Sequence, residues 1–372
     1  MNLETIPTPA LILDVERVRR NAARIGKRVT DMGARLRPHI KTHKCIEVAR
    51  IQTNGHSGAL TVSTLAEARA FAAAGFSNIT YAVPIEPGKF DAALELAKIC
   101  NPLSLLTDNP QIPVPLNEAA RKTGVTLDVF LKVDSGYRRV GVEPESEEAL
   151  SIPELISRSS NLRFAGLLTH AGHSYDYRDP HERLAVARHE RDVMVQLAER
   201  LRSAGVEVPT VSIGSTPSIT IVDHLNGVDE ARPGNYIFFD AFQAAIGSCS
   251  LDDCALTVLA AVVHRDPKRN KLVVDAGAIA LSKDRGAIDF DSSCGYGRVL
   301  DLEGRDLGLT ITSLSQEHGQ ILSQNCDIRG FHVGERVRVL ANHSCLSAAQ
   351  HSQYYVLERG EIVDQWPIMR GW

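Results

Sequence analysis

Residues 58–83 read GALTVSTLAEARAFAAAGFSNITYAV, and their pattern decides the fold class. Residues 58–63 are a short run of apolar and β-branched side chains, the signature of a buried strand. Thr64 followed three positions later by Glu67 is a capping box, which starts a helix. Residues 65–74 are almost all alanine, leucine and other good helix formers. Gly75 stands where a helix closes in the left-handed conformation. Residues 79–83 then open a second apolar, β-branched run. One strand–helix–strand unit of this kind predicts a pair of parallel strands.

The same alternation extends along the first two-thirds of the chain. Candidate strands fall at residues 10–14, 35–41, 58–63, 79–83, 103–107, 127–133, 164–170 and 211–213. Strand–helix units at intervals of 20–40 residues predict a parallel sheet, and eight of them predict a TIM-like (β/α)8 barrel over about 240 residues. A doubly wound open sheet competes, but no GxGxxG follows the first strand. The widest gap separates the last two strands and holds a polar stretch, residues 173–180, which reads as an active-site loop. After about Ala245 helical periodicity fades. Apolar or alternating runs at 255–263, 271–276, 309–313, 336–340 and 361–366 predict a β-rich second domain. The expected division is residues 1–245 and 246–372. There are no internal repeats and no low-complexity segments.

Composition narrows the function. The chain has 372 residues, 44% hydrophobic and 23% charged, with a net charge of −4. That is enough apolar content for a sizeable core, and it offers no basic field to nucleic acid or an anionic membrane. No window approaches the length of a membrane span. The N-terminus lacks a basic region ahead of its apolar run, so no signal peptide is expected. Seven scattered cysteines, Cys45, Cys100, Cys249, Cys254, Cys294, Cys326 and Cys345, form no CxxC pair. They suit a reducing, cytoplasmic compartment, and most read as small buried apolar residues.

In such a barrel chemistry collects at the C-terminal ends of the strands. The second candidate strand ends in Arg37-Pro38-His39-Ile40-Lys41-Thr42-His43-Lys44. A partly desolvated Lys41 among cationic neighbours would have a lowered pKa and a free amine able to form a Schiff base. The alternative is a solvated basic loop that binds an anion. Gly214-Ser215-Thr216, ahead of a helix, offers N–H groups and hydroxyls to a phosphate, or is a plain N-cap. Gly234-Asn235, within Arg232-Pro233-Gly234-Asn235-Tyr236, can add further donors. A reactive lysine with a phosphate cradle suggests pyridoxal phosphate (PLP). Asp134 to Arg139 and Thr169-His170 land at the same rim.

The second domain holds His343-Ser344-Cys345 after an apolar run. If the strand continues, both ligand-type side chains share one face and form half of a zinc site, open for substrate. Otherwise Cys345 is a buried cysteine beside a hydrogen-bonded histidine. Glu317-His318-Gly319 shapes a pocket or makes a turn. Asp275-Ala276-Gly277 reads as a strand end. Ser282-Lys283-Asp284 could face the active site, with a surface position the favoured reading, and the basic residues 265–271 read as a solvated hairpin turn.

These residues resemble a known group. Thr8-Pro9-Ala10-Leu11 together with residues 37–44 is similar to the fold-type III PLP enzymes. The closer likeness is to the D-serine dehydratase / D-threonine aldolase branch of the alanine racemase-like superfamily. The likeness covers nearly the whole chain. It implies a PLP-binding barrel followed by a β domain, with Lys41 as the Schiff-base residue. It implies His170 on the cofactor ring, Arg139 near the phenolic oxygen and Arg232 facing the pyridine nitrogen. It also implies Gly214, Ser215, Thr216, Gly234 and Asn235 around the phosphate, with Tyr175 and Tyr236 as further cofactor contacts. Asn342-His343-Ser344-Cys345 looks like the dehydratases, where the aldolases tend to have Asp in place of the cysteine. The thiolate suits zinc better than manganese or magnesium, with cobalt a further alternative.

The resemblance thus implies a PLP- and zinc-dependent dehydratase acting on D-serine, D-threonine or D-threo-3-hydroxyaspartate. The products would be an oxo acid and ammonia, and Lys41, His343 and Cys345 would carry the reaction. The alternative is an aldolase giving glycine and an aldehyde. Racemisation or non-catalytic PLP binding stands behind both. The expected partners are a small D-amino acid and a second copy of the chain in a homodimer.

Overall fold

The computed structural model describes residues 2–53, 58–323 and 328–372, and the expectation for Cys326 lies outside the described residues. The chain forms two units. One comprises Arg24–Lys41, Gln52–Gly234 and the two C-terminal residues, and the other Met1–Ala23, Thr42–Ile51 and Asn235–Arg370.

The first unit is built on eight parallel strands: Arg35–Leu36, Leu60–Val62, Ile79–Pro84, Leu103–Thr107, Leu127–Lys132, Leu162–Leu168, Val211–Ile213 and Glu230–Ala231. Each pairs with its neighbour in chain order, and Arg35–Leu36 pairs with Glu230–Ala231. A parallel bridge between His39 and Thr61 joins the first strand to the second and closes the ring. The mixed α/β, TIM-like architecture expected from the sequence is therefore present.

The opening stretch folds as read. Thr64 accepts from the Glu67 N–H, and the Glu67 carboxylate accepts from the N–H groups of Ser63 and Thr64. Helix Leu65–Ala73 closes in a Schellman motif. Phe76 N donates to Phe71 O at 3.0 Å and Gly75 N to Ala72 O at 3.0 Å, with the Phe71 and Phe76 rings 5.5 Å apart.

One strand was misplaced by the sequence. Ala10–Asp14 is not a barrel strand. It pairs antiparallel with Leu256–Asp266 and parallel with Gln353–Glu358 in the sheet of the second unit. The eighth barrel strand is instead Glu230–Ala231. The reason is physical: a strand flanked on both sides in either sheet is equally apolar, so hydropathy cannot assign it. Glu230 is also a charged residue in a buried strand. Its carboxylate is held by Arg37 at 2.8 Å and Ser212 Oγ at 2.6 Å.

The second unit is strand-rich. Its sheet runs Asp306–Thr310, Gly297–Leu300, Arg336–Ala341, Leu256–Asp266, Ala10–Asp14, Gln353–Glu358 and Glu361–Pro367, with three further strands beside it. Leu3, Ile6, Ala10, Ile12, Leu259, Leu357 and Ile362 form a buried cluster on it. The basic residues 265–271 do make a hairpin turn, between Leu256–Asp266 and Lys271–Val274. Residues 317–319 turn between Ser313–Leu314 and Gly319–Leu322, with Ser315 N donating to His318 O. The six described cysteines are all free.

Candidate active site

Two groups of side chains answer the sequence expectations, one in each unit. The first lies at the C-terminal ends of the barrel strands. The expected strand at 35–41 is short: it stops at Leu36, and Lys41 sits on a 3-10 turn, Ile40–Thr42. The Lys41 side chain is exposed in the single chain. The desolvation argument for Lys41 is therefore overturned, because a tight turn, unlike a strand end, lifts the side chain out of the wall.

The next elements bring further groups to this rim. Strand Leu162–Leu168 carries a bulge at Gly166, whose φ is +127°. A Cβ there would lie 1.9 Å from Thr210 O, so only glycine fits. Bulges re-aim the residues that follow, and two positions past the strand comes His170. Its Nδ1 lies 3.3 Å from Gly214 O, which requires that nitrogen to carry the proton. Burial, then the charges of Lys41 and Arg139, push the His170 pKa well below its ordinary value, so the ring is neutral. Tyr137 meets His170 edge to face at 6.1 Å and stacks on His173 at 6.2 Å, and the Arg139 guanidinium lies 4.9 Å from the Tyr137 ring. Tyr175 lies on the adjacent 3-10 helix, Gly172–Asp176.

Ser215 is the N-cap of helix Thr216–Ile221, its Oγ accepting from Ser218 N at 3.1 Å. The plain capping alternative thus holds for its side chain. The backbone N–H groups of the helix start still face outward from the first turn. Arg232 is buried and donates to Ser212 Oγ and Thr169 O. Two charged residues here escaped the sequence reading. Glu190 Oε1 accepts from the N–H groups of Ala171 at 2.9 Å and Gly214 at 3.1 Å, tying together the two loops that carry His170 and Ser215. Lys132 is 5% exposed and donates to Val133 O. Burial, then Arg232 and Arg139, lower its pKa to about 7. Neither residue stands in a motif, so only the folded chain reveals them.

The second group surrounds His343 and Cys345. The strand does not continue through them. It ends at Ala341, His343 is the N-cap of helix Ser344–Gln350, and Cys345 lies in its first turn. The alternating-face argument is therefore wrong, and a helix start brings the two side chains together instead. His343 Nδ1 lies 2.6 Å from Asp284 Oδ2. Burial alone would lower the His343 pKa, but Asp284 and Cys345 outweigh it and raise it to about 11. For Cys345, burial would raise the pKa, but the hydrogen bond and charge of His343, with Thr42, lower it. Thr42 Oγ1 lies 3.4 Å from Cys345 Sγ. Each of the two groups thus favours the charged form of the other.

Asp284, for which the sequence favoured a surface position over one facing the site, is thus the carboxylate that orients His343. Asp240 is an acid the sequence reading missed, 2% exposed. Its carboxylate accepts from Ser344 N at 3.0 Å, Ser344 Oγ at 3.1 Å and Gln243 N at 2.9 Å. Asn235 Nδ2 reaches Asp240 at 2.8 Å, Ser344 Oγ at 3.1 Å and Cys345 Sγ at 3.5 Å. Tyr236 is fully buried on the same 3-10 helix, Asn235–Ile237.

The donor set fits a metal of two protein ligands. His343 offers Nε2 while a carboxylate holds its other nitrogen, the usual support of a metal-bound histidine. Cys345 offers a thiolate, which suits zinc. Among the described residues no group of three or more His, Cys, Asp and Glu side chains could hold a metal. Remaining positions would go to solvent or substrate.

Comparison with known proteins gives two family domains along the chain. Residues 13–241 match the alanine racemase N-terminal domain, and residues 255–357 the putative serine dehydratase domain. The chain is 38% identical to the D-threo-3-hydroxyaspartate dehydratase of Delftia sp. (strain HT23), covering 100% of this chain and 99% of that one. It is 34% identical to the D-serine dehydratase of Dictyostelium discoideum, covering 100% and 98%. Among solved structures, the Delftia enzyme superposes with a TM-score of 0.96 at 39% identity, covering 100% of both chains. Two further solved structures of a D-threo-3-hydroxyaspartate dehydratase, each with a TM-score of 0.96 at 38% identity, carry a cysteine-to-alanine mutation, in a metal-free form, and a histidine-to-alanine mutation two positions earlier. The D-threonine aldolase of Filomicrobium marinum gives a TM-score of 0.86 at 30% identity, covering 99% and 96%.

Proposed function

Because the chain belongs to the family that joins an alanine racemase N-terminal domain to a serine dehydratase domain, we propose that it is a PLP- and metal-dependent lyase. It eliminates water from a D-β-hydroxy amino acid and yields a 2-oxo acid and ammonia. The observation that carries this reading is the Asp284–His343 pair beside Cys345, whose pKa the histidine lowers. The spacing of two between His343 and Cys345 matches the histidine and cysteine mutated in structures of a D-threo-3-hydroxyaspartate dehydratase, one of which, the cysteine-to-alanine mutant, is in the metal-free form.

When bound, PLP supplies an electron sink for negative charge at Cα, and the metal a Lewis acid for the β-hydroxyl. Lys41 holds the cofactor and its Nζ removes the Cα proton. Neutral His170 offers an uncharged face to the cofactor ring, and Arg139 sits at its phenolic oxygen. Arg232, fixed by Ser212 and Thr169, faces the pyridine nitrogen. The backbone at Gly214, Ser215, Thr216, Gly234 and Asn235 receives the phosphate, with Tyr175 and Tyr236 as further contacts. His343 and Cys345 hold the metal, and their thiolate–imidazole set favours zinc over manganese, cobalt or magnesium. The hydroxyl is a poor leaving group, so its departure depends on the metal. A homodimer and a reducing, cytoplasmic setting belong to the same proposal. The free cysteines support the setting, and no helix among the described residues is long and apolar enough to cross a membrane.

The test is product identity. With PLP and zinc, D-threonine should give 2-oxobutyrate and ammonia, and D-threo-3-hydroxyaspartate should give oxaloacetate and ammonia. Glycine with acetaldehyde or glyoxylate would establish the aldolase chemistry of the more distant relatives and overturn the dehydratase reading.

A further inference from the structure

Asn235 is held from both ends. Its carbonyl accepts from Phe238 N at 3.0 Å and Phe239 N at 2.7 Å. Its side-chain amide reaches Asp240, Ser344 and Cys345. Asp240 in turn fixes the Ser344 N–H between the two ligand residues. The segment is rigid: Asn235–Ile237 is a 3-10 turn, Phe239 follows at φ +49°, and Asp240 caps the next helix. Main chain and side chain of Asn235 therefore cannot shift independently. Its Oδ1 is buried with no hydrogen-bond partner among the described residues, so nothing on that side offsets a loss of the Nδ2 contacts.

We propose that Asn235 is a positioning residue that couples cofactor and metal. Its backbone lies in the segment that takes the phosphate, and its side chain orders the Cys345 thiolate and, through Asp240, the start of the helix bearing it. Phosphate bound at the backbone selects the arrangement in which the thiolate is ready for metal, and metal does the reverse. The inference rests on the PLP and metal assignment above. Thermodynamic linkage makes the effect reciprocal.

The experiment needs no turnover. Zinc affinity is measured by competition with a chromophoric chelator, once on PLP-loaded protein and once after the cofactor is removed with hydroxylamine. Cobalt substitution reports the thiolate bond through its charge-transfer absorption. In the unaltered protein, PLP should tighten zinc about tenfold, and zinc should tighten PLP by the same factor. In Asn235→Ala both ratios should fall to about one while each group still binds, zinc about 10- to 100-fold more weakly. If Asn235→Ala does not fold, Asn235→Ser removes the same Nδ2 contacts. Equal zinc affinity with and without PLP in the unaltered protein would overturn the coupling and leave both binding sites standing. An unchanged ratio in the variants would move the coupling away from Asn235. A protein that binds no PLP or no metal would overturn the coupling together with the functional reading beneath it.

Discussion

Two histidines, one in each unit, show opposite electrostatics built from the same side chain. His170 sits beside Lys41 and Arg139, and both burial and charge drive its proton off. His343 is half-buried, yet Asp284 and Cys345 raise its pKa to about 11. Burial disfavours the charged imidazole in both, so the neighbours decide the outcome. Under the proposed function, a ring that stacks on an aromatic cofactor gains from being neutral. A ring that binds a cation would gain from acidic surroundings, which attract the metal and give it a proton to displace.

The sharpest way to break this contrast is to remove a metal-side partner. His343→Ala or Cys345→Ala should abolish stoichiometric metal while PLP stays bound. Activity should drop by about 10³-fold or more, as expected when several kcal/mol of Lewis-acid stabilisation disappear. Metal analysis beside the cofactor spectrum checks this. Lys41→Ala should instead end covalent PLP attachment and leave the metal in place. If PLP still attaches covalently, the Lys41 assignment is wrong.

Next comes Asp284→Asn, which keeps the shape and removes the charge. Zinc affinity should fall about 10- to 100-fold, and the His343 pKa in the metal-free protein should drop toward that of an ordinary histidine. The unaltered protein offers a related test. Metal must displace the His343 proton, so apparent zinc affinity should rise about tenfold per pH unit across the neutral range. A flat profile would show that His343 is already neutral there.

How much of this was open to sequence reading follows from the kind of signal each feature leaves. The barrel was legible because its strands are buried on both faces and read as apolar runs between capped helices, as Leu60–Val62 and Thr64 show. Lys41, His343 and Cys345 carry chemistry in their residue types and stand in motifs. Asp284 and Asp240 do not. Each is an acid in an ordinary turn, 59 and 104 residues from the group it contacts. Glu190 is one charged residue on a long charged helix. Such partners are chosen by folding, and short-range pattern carries no trace of them.

The smallest expected effects concern the barrel side. Arg139→Gln should move the His170 pKa upward, visible by NMR titration. Lys132→Met should raise Tm by about 1 °C, on the order of 1 kcal/mol. The sign follows from the lowered pKa. Below pH 7 folding must bury a charged amine. Between about 7 and 10.5 the folded chain alone has lost that proton, and the cost fades. The gap in Tm should therefore be widest below pH 7 and close above 10.5. A gap that widens with pH would mean that Lys132 is not buried as an amine.

The strand Ala10–Asp14 has a consequence for synthesis. Its partners in the sheet begin with Leu256 and end with Leu357. At ~5–20 residues per second, the ribosome needs about 12 to 50 s to make the ~250 residues that separate Ala10 from Leu259. For that interval one of the most apolar segments of the chain has left the exit tunnel with no sheet to join. Until those partners are made, its apolar side chains are a standing demand on chaperones.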